Sequence, residues 1–335
     1  MSEPLVSVII PTYNYTNYIL EAIDSILSQN YPQDKIEIIV VDDGSTDNTF
    51  EVLKDLVDKN SIQYYYQENK GKANATFNAI QRCTGKYVFN LDADDYFLQN
   101  KIAEYVKVFE SDQSIVHVGT AAKVLYQQTN VLVTEKLPKD ILGKPLYGNW
   151  LLQRFYSSNM FFGGGTTYSA RASVLKTIQI PDEVDMYIDE FLILAILPLG
   201  KSFFIEKPLS VWRMHKDNFS VFAELKENQI KKDKRLLRSS AAVLKYLIEN
   251  NFDQKLITIY SLQDATRQMA FKESTNNKKI SDIVDYAFKV FFKIKPGLRL
   301  INKYNVMNRL IPLNIMKLVK KSYQPTSITF NADIK

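Results

Sequence analysis

The 335-residue chain is predicted to be an α/β protein, with a mostly parallel sheet flanked by helices and a C-terminal helical extension. Three observations predict this. Short, near-continuously apolar runs alternate with helix-period segments through the first hundred residues, and no hairpin turn joins them. Such alternation specifies parallel strands linked by helices on both faces. Several runs end in acidic or polar loops, which gathers those loops at the carboxyl edge of the sheet, where open α/β folds bind ligands. Beyond residue 220 the period is helical and the charge turns basic.

The elements follow in order. Leu5 to Ile10 is a buried strand stopped by Pro11, and Pro11-Thr12-Tyr13-Asn14 is its loop. Ile19, Ala22, Ile23, Ile26 and Leu27 recur at helical spacing, and Tyr31-Pro32 ends that helix. Ile36 to Val41 is a second strand, with Asp42-Asp43-Gly44-Ser45 after it. Asp47 or Asn48 caps the next helix, whose apolar face is Phe50, Leu53, Leu56 and Val57. Ile62 to Gln67 reads as a strand, Lys72 to Cys83 as a helix, and Tyr87 to Leu91 as a fourth strand.

That fourth strand runs into Asp92-Ala93-Asp94-Asp95, three carboxylates within four positions. Acids this close repel, so the spacing suits a divalent cation that neutralises them; oxygen ligands favour Mg²⁺ or Mn²⁺. Taken alone, the same residues also read as a solvated acidic turn. Their convergence with Thr12, Tyr13, Asp42 and Asp43 at one crevice is the functional signal.

The middle is less regular. Leu98 to Phe109 looks helical and Ile115 to Gly119 extended, while Gln127 to Gly148 reads as a loop or flap. Gly163-Gly164-Gly165 permits close backbone approach to a ligand, or forms a plain turn. Asp189-Glu190 opens an apolar helix to Leu199, where acids also favour the dipole end. Ser202 to Ile205 and Leu209 to Met214 are short strands, and His215 follows, with a ligand role and a structural role both open.

Composition sets further bounds. The net charge of +5 hides an asymmetry: residues 221–335 hold 22 Lys and Arg against 10 Asp and Glu. A basic end faces an anionic surface. Without a nucleic-acid recognition motif the membrane's anionic leaflet is the expected partner, not nucleic acid. No run is apolar enough to span a bilayer and no signal peptide is apparent, so a cytoplasmic, peripheral placement is expected. The single Cys83 excludes an intramolecular disulfide and a Cys-based zinc cluster. Ile230 to Asn250 and Gln254 to Lys272 are helices. Residues 288–321 interleave apolar and cationic side chains, as a membrane-lying helix pair would, or as helices packed on the catalytic domain with a solvated cationic face would, and the last dozen residues are polar. The expected division is 1–220 and 221–335.

Val6 to Asn14, Ile39 to Asp47, Asn69-Lys70-Gly71 and Gly85 to Asp95, in that order and spacing, resemble the family 2 glycosyltransferases. A weaker match covers Asp189 to Ser220. The resemblance implies the GT-A fold, a Rossmann-like sheet, and an inverting transfer from a nucleotide diphosphate sugar, UDP-linked, to a saccharide or lipid-linked saccharide acceptor. It implies that Pro11, Thr12 and Tyr13 line the nucleotide and that Asp42 and Asp43 address the base. Lys72, Ala93 and Arg213 complete the donor site. Asp92 would meet the ribose and, with Asp94 and His215, the Mn²⁺ or Mg²⁺ ion; Asp95 would assist. The family's Glu-Asp pair is reversed here, and counting back from Gly200 assigns the catalytic base to Asp189 rather than Glu190. A nucleotidyltransferase is the same-fold alternative, although Pro11-Thr12-Tyr13-Asn14 lacks the Gly-rich basic loop such enzymes carry. A non-catalytic nucleotide-binding protein is the other.

Overall fold

The structure is a computed structural model and describes residues 3–158, 164–216, 218 and 226–292. Its first half is the expected alternation: β1 (Val6–Thr12), α1 (Ile19–Leu27), β2 (Ile36–Asp42), α2 (Thr49–Asp58), β3 (Gln63–Tyr66), α3 (Lys72–Arg82) and β4 (Tyr87–Asn90). The four strands are parallel, in the order β3-β2-β1-β4. β1 and β4 are buried along their whole length. Strands covered on both faces have no polar side to show, which is why they read as apolar runs.

One local expectation needs correcting. Pro11 does not stop β1, which continues to Thr12 with Pro11 opposite Val41. The ladder to β4 has already ended at Ile9 opposite Asn90, so the missing proline N–H interrupts nothing on that side. At α2 the residue at the cap is Asn48, but the carboxylate that accepts the Thr49 N–H belongs to Asp47.

The second half contributes β5 (Tyr96–Phe97), α4 (Lys101–Ser111), β6 (Ile115–Thr120), β7 (Lys123–Tyr126), β8 (Val131–Thr134), β9 (Pro145–Tyr147), α5 (Gly148–Ser158), β10 (Tyr168–Arg171), α6 (Ala172–Leu175), α7 (Ile188–Ile196), β11 (Lys201–Ile205) and β12 (Ser210–Met214). The main sheet has eight strands in the order β3-β2-β1-β4-β10-β6-β11-β9. β10 is inserted antiparallel between β4 and β6, and β9 is antiparallel at the far edge. The sheet is therefore mostly parallel but mixed. Gln127 to Gly148 is not a plain loop: it holds β8, paired antiparallel with β7, and β9. Its polar turn residues hide a hairpin, closed by Asn130 in the left-handed region at φ 52°.

A smaller sheet, β5-β12-β7-β8, has a positional consequence. β5 follows the acidic loop directly, and β12 pairs with it antiparallel. The pairing brings Arg213 and His215 back to Asp94 and Asp95, about 120 residues earlier in the chain. Beneath both sheets lies a core that includes Val8, Ile10, Ile23, Phe89, Leu91, Tyr105 and Phe109. Cys83 is buried just past α3 and unbridged.

The described residues form two compact units: residues 3–148 with 164–216 and 218, and residues 149–158 with 226–292. The stretch 149–158 groups with the second unit although it lies far upstream of residue 221; Lys255 Nζ donates to Gln153 Oε1 at 3.0 Å. The second unit is built on α8 (Lys226–Glu249), α9 (Gln254–Ser274) and α10 (Ile280–Phe292). Asp253 caps α9, accepting from the N–H groups of Lys255 and Leu256. Leu262, Ala265 and Met269 of α9 pack on Tyr286 and Ile283 of α10. No described helix is long and apolar enough to cross a membrane. Gly163, Phe219, Ser220, residues 293–321 and the final dozen residues lie outside the described residues.

His117 is among the core residues that break the usual rule that buried polar groups are satisfied. His117 on β6 is buried between Tyr168 and Phe204, with neither ring nitrogen hydrogen-bonded. Burial drives its pKa down to about 3 from an ordinary 6.5. Between those values the unfolded chain binds a proton that the folded chain refuses, so stability falls as pH falls. Relative to His117→Phe, the parent should lose stability with a slope approaching about 1.4 kcal/mol per pH unit below pH 6. Urea denaturation of both proteins at several pH values measures that difference.

Candidate active site

The loops at the carboxyl edge are tied together before any ligand arrives. Asp43 accepts from the backbone N–H groups of Lys70 and Gly71, each at 2.8 Å, and from Gln67 Nε2 at 2.8 Å. Asp42 accepts from Ser45 N and from the Tyr64 hydroxyl at 2.6 Å. Both carboxylates are buried, so each first shapes the crevice and meets a ligand only through what these bonds leave over. Asn14, itself left-handed at φ 59°, accepts from the N–H groups of Thr46 and Asp47 and fastens the β1 loop to the β2 loop. Thr12 is buried with its hydroxyl unpartnered, and Tyr13 beside it is exposed. Pro11 and Ala93 are buried in the walls.

Asp92, Asp94 and Asp95 bring carboxylate oxygens within 4.8 Å of one another. Their surroundings divide their work. Asp95 turns inward: one oxygen accepts the Arg213 N–H at 2.9 Å, the other the Thr166 hydroxyl at 2.5 Å. These two bonds tie Asp95 to β12 and to Thr166. Thr166 in turn accepts the Asp92 N–H, and its carbonyl is gripped from below by Lys101 Nζ and Ser210 Oγ. Lys101 is wholly buried, and burial pushes its pKa well below the usual lysine range against the pull of Asp95.

Asp94 faces another set. Its carboxylate meets His215 Nε2 at 3.1 Å, Asn218 Nδ2 at 3.0 Å and the Tyr15 hydroxyl. Asn218 also accepts the His215 N–H, and the His215 ring stacks on Tyr18 at 4.6 Å. Arg213 is committed to the scaffold: Nε donates to the Asp94 carbonyl, the guanidinium pairs with Glu21, and it lies over Tyr18 and Tyr96. Its guanidinium braces the acidic loop from β12.

Asp92 belongs to a third group. Its carboxylate accepts from Lys72 Nζ at 2.8 Å, and the same ammonium is 3.6 Å from Asp189. Burial works against the Lys72 charge, but Asp189 and Asp92 outweigh it and hold its pKa well above the ordinary value. Asp92 is pushed up to about 6 by burial, with Asp189 and Asp94 adding to it and Lys72 opposing. Asp189 stands in the first turn of α7. Of the reversed pair, it is Asp189 whose carboxylate enters the acidic cluster.

An excess of buried negative charge is the observation that suits a cation here. Asp95 is pushed well above the ordinary carboxylate value by burial and by its two acidic neighbours, and one lysine faces both Asp92 and Asp189. Carboxylate oxygens with an imidazole nitrogen match the donors of a hard divalent ion.

The model of glycosyl transferase family 2 matches residues 7–177. The chain belongs to that family. Among curated members, an uncharacterized glycosyltransferase of Mycoplasma genitalium is 29% identical over 222 residues, 63% of this chain and 68% of its own. The chondroitin synthase of Escherichia coli is 32% identical over 130 residues, 38% of this chain and 19% of its own. The match spans less than half the length of most such relatives, as with 16% of a Rickettsia bellii glycosyltransferase. Among solved structures, S. aureus TarS 1-349 in complex with UDP-GlcNAc superposes with a TM-score of 0.61 at 17% identity, over 85% of this chain and 79% of its own. The mannosyltransferase PcManGT of Pyrobaculum calidifontis, in complex with GDP-Man and Mn²⁺, gives 0.53 at 20% identity over 96% and 89%. The family 2 chain thus has the GT-A fold.

Lys72, Asp92 and Asp189 come together as one group, and Asp94 and His215 as another. Tyr15, Tyr18, Glu21, Lys101 and Thr166 were not legible as site residues in the sequence. Only Thr166 has a signal nearby, the Gly163-Gly164-Gly165 run just before it, and nothing in that run points to the threonine itself. Thr166 carries a sharp consequence for stability. Thr166→Val keeps its shape but strips a partner from Asp95 and from the Asp92 N–H, costing about 1–3 kcal/mol. Chemical denaturation should show that loss, with Thr166→Ser restoring most of it.

Proposed function

We propose that this chain is an inverting glycosyltransferase acting from a nucleotide diphosphate sugar, UDP-linked, on a hydroxyl of a saccharide or lipid-linked saccharide. The observation that carries the reading is the lysine bridge: Lys72 joins the donor-side acid Asp92 to Asp189, the group suited to accept a proton. In this reading the β1 and β2 loops, with Pro11, Thr12, Tyr13, Asp42 and Asp43, receive the nucleotide. Asp94 and His215, with Asp92, would hold Mn²⁺ or Mg²⁺, whose charge offsets that of the departing diphosphate. Lys72 adds a positive charge on the same side. As the acceptor oxygen bonds to the sugar's anomeric carbon, the bond to the diphosphate oxygen breaks and the acceptor proton passes to Asp189. Asp189 Oδ1 is buried and accepts no hydrogen bond from the described residues, which leaves an oxygen for that proton.

We also infer a cytoplasmic, membrane-peripheral placement, and the second unit supports it. Ile280, Val284 and Phe288 on α10 are exposed at successive helical turns. An apolar stripe flanked in sequence by Lys278, Lys279 and Lys289, in a region of net positive charge, suits the interface of an anionic membrane.

Titration with UDP-sugars and Mn²⁺, followed by thermal shift, should stabilise the parent, since a ligand of the folded state alone adds stability by mass action. Asp94→Ala should remove the part of that shift that depends on Mn²⁺. Asp189→Asn should keep donor binding and lower turnover by roughly 10²–10⁴-fold. Normal transfer by Asp189→Asn with a large loss in Glu190→Gln would move the base to the neighbouring residue. Sedimentation with anionic vesicles should decline with added salt, because screening acts on exposed charge. Indifference to anionic and neutral vesicles alike would end the membrane placement.

A further inference from the structure

Behind the lysine bridge, three buried polar atoms from three elements lack any hydrogen-bond partner among the described residues: Asn90 Oδ1 on β4, Tyr168 OH on β10 and Asp189 Oδ1 on α7. Buried polar atoms are rarely left in this state, and an exception asks for an explanation. The β10–β4 ladder places Ser169 opposite Phe89, so one step on it sets Tyr168 beside Asn90 at the carboxyl edge. Asn90 Nδ2 donates to Asp92 Oδ1 at 3.1 Å, which fixes the amide and leaves its oxygen facing away from that bond. Gly165 completes the enclosure. A Cβ there would stand 2.5 Å from Asn90 Nδ2, 2.7 Å from Asp189 Oδ1 and 2.9 Å from Asp92 Oδ1, so only glycine lets the backbone come this close. At Gly164, by contrast, a Cβ would meet nothing within 4 Å. The wall is tight at one residue and open at the next.

We infer that Asn90 and Tyr168 read the hydroxyl groups of the donor's sugar ring, which enters past Gly164. The inference rests on the nucleotide-sugar reading above and adds two residues to it. The chemistry of the free atoms selects the ligand class. Two of the three accept only, and the phenol either donates or accepts. Such a set repels a phosphate, which brings acceptors alone, and suits a ring carrying several O–H groups in fixed geometry. Asp189 is reserved for the incoming acceptor hydroxyl, so Asn90 and Tyr168 remain for the donor sugar. Asp189 and Asp92 also raise the Tyr168 pKa after burial, with Lys72 opposing, which puts the hydroxyl within electrostatic reach of all three.

Calorimetry of the full chain with UDP, UDP-glucose, UDP-N-acetylglucosamine, GDP and GDP-mannose, each with Mn²⁺, tests this on the parent and Tyr168→Phe. The parent should bind one nucleotide sugar more tightly than its own nucleotide diphosphate. Tyr168→Phe should keep the nucleotide affinity within about twofold and lose about five- to tenfold of the sugar's contribution, as one hydrogen bond warrants. Its melting temperature should hold or rise, because an unpartnered buried hydroxyl has been removed. Asn90→Ala should show the same loss for the sugar. Unchanged sugar affinity in both variants overturns the inference, and a lower melting temperature beside it would assign the hydroxyl to a buried water. A parent that binds the nucleotide diphosphate no less tightly than its sugar overturns it while leaving the nucleotide site standing. A parent that binds none of the five overturns the broader reading and this inference together.

Discussion

Four carboxylates, those of Asp92, Asp94, Asp95 and Asp189, stand close together where water reaches them poorly. Charge crowded in this way destabilises the fold unless it is offset, because burial and like neighbours both disfavour the ionised form. The surrounding structure is arranged against that repulsion. Lys72 takes Asp92 and Asp189, the Thr166 hydroxyl and the Arg213 N–H take Asp95, and Asn218 with Tyr15 takes Asp94. These partners come from four stretches of the chain: Tyr15, Lys72, Thr166 and the segment from Arg213 to Asn218.

The division of labour among the acids follows from those partners. Asp95 has both oxygens bonded inside the protein, to the Thr166 hydroxyl and the Arg213 N–H, so it ties the acidic loop to β12. Beneath it, Lys101 grips the Thr166 carbonyl from within the core. A lysine placed there, over the rings of Phe97 and Tyr105, costs desolvation and finds its return in a fixed geometry for the acidic loop above. Arg213 serves a similar end from the opposite side. Scaffold and chemistry are thus interleaved along one four-residue stretch, alternate positions facing alternate tasks.

The second unit has its own logic. α9 is capped by Asp253 and packs on α10 through Leu262, Ala265, Met269 and Tyr286. With one side of α10 spent in that contact, Ile280, Val284 and Phe288 stand on another side, exposed. A helix with two apolar sides and only one of them packed within its own unit departs from the single-stripe pattern of an ordinary surface helix.

Periodicity determined the first hundred residues almost completely. Strands buried on both faces must be continuously apolar, and helices over them must repeat every three or four residues, so both patterns are local and visible. The acids Asp92, Asp94 and Asp189 were legible for a related reason: charge at the end of an apolar run, or at the start of an apolar helix, is conspicuous. Tertiary structure alone decided the rest. The antiparallel insertion of β10, the hairpin hidden between Gln127 and Gly148, and the reach of β12 back to Asp95 depend on pairings between distant segments that no local pattern encodes. Lys101, Thr166 and Tyr168 look ordinary in sequence, because what distinguishes them is burial beside a particular partner, or beside none. A side chain's type is written in the sequence, but whether its polar atoms are satisfied is a property of the assembled neighbourhood.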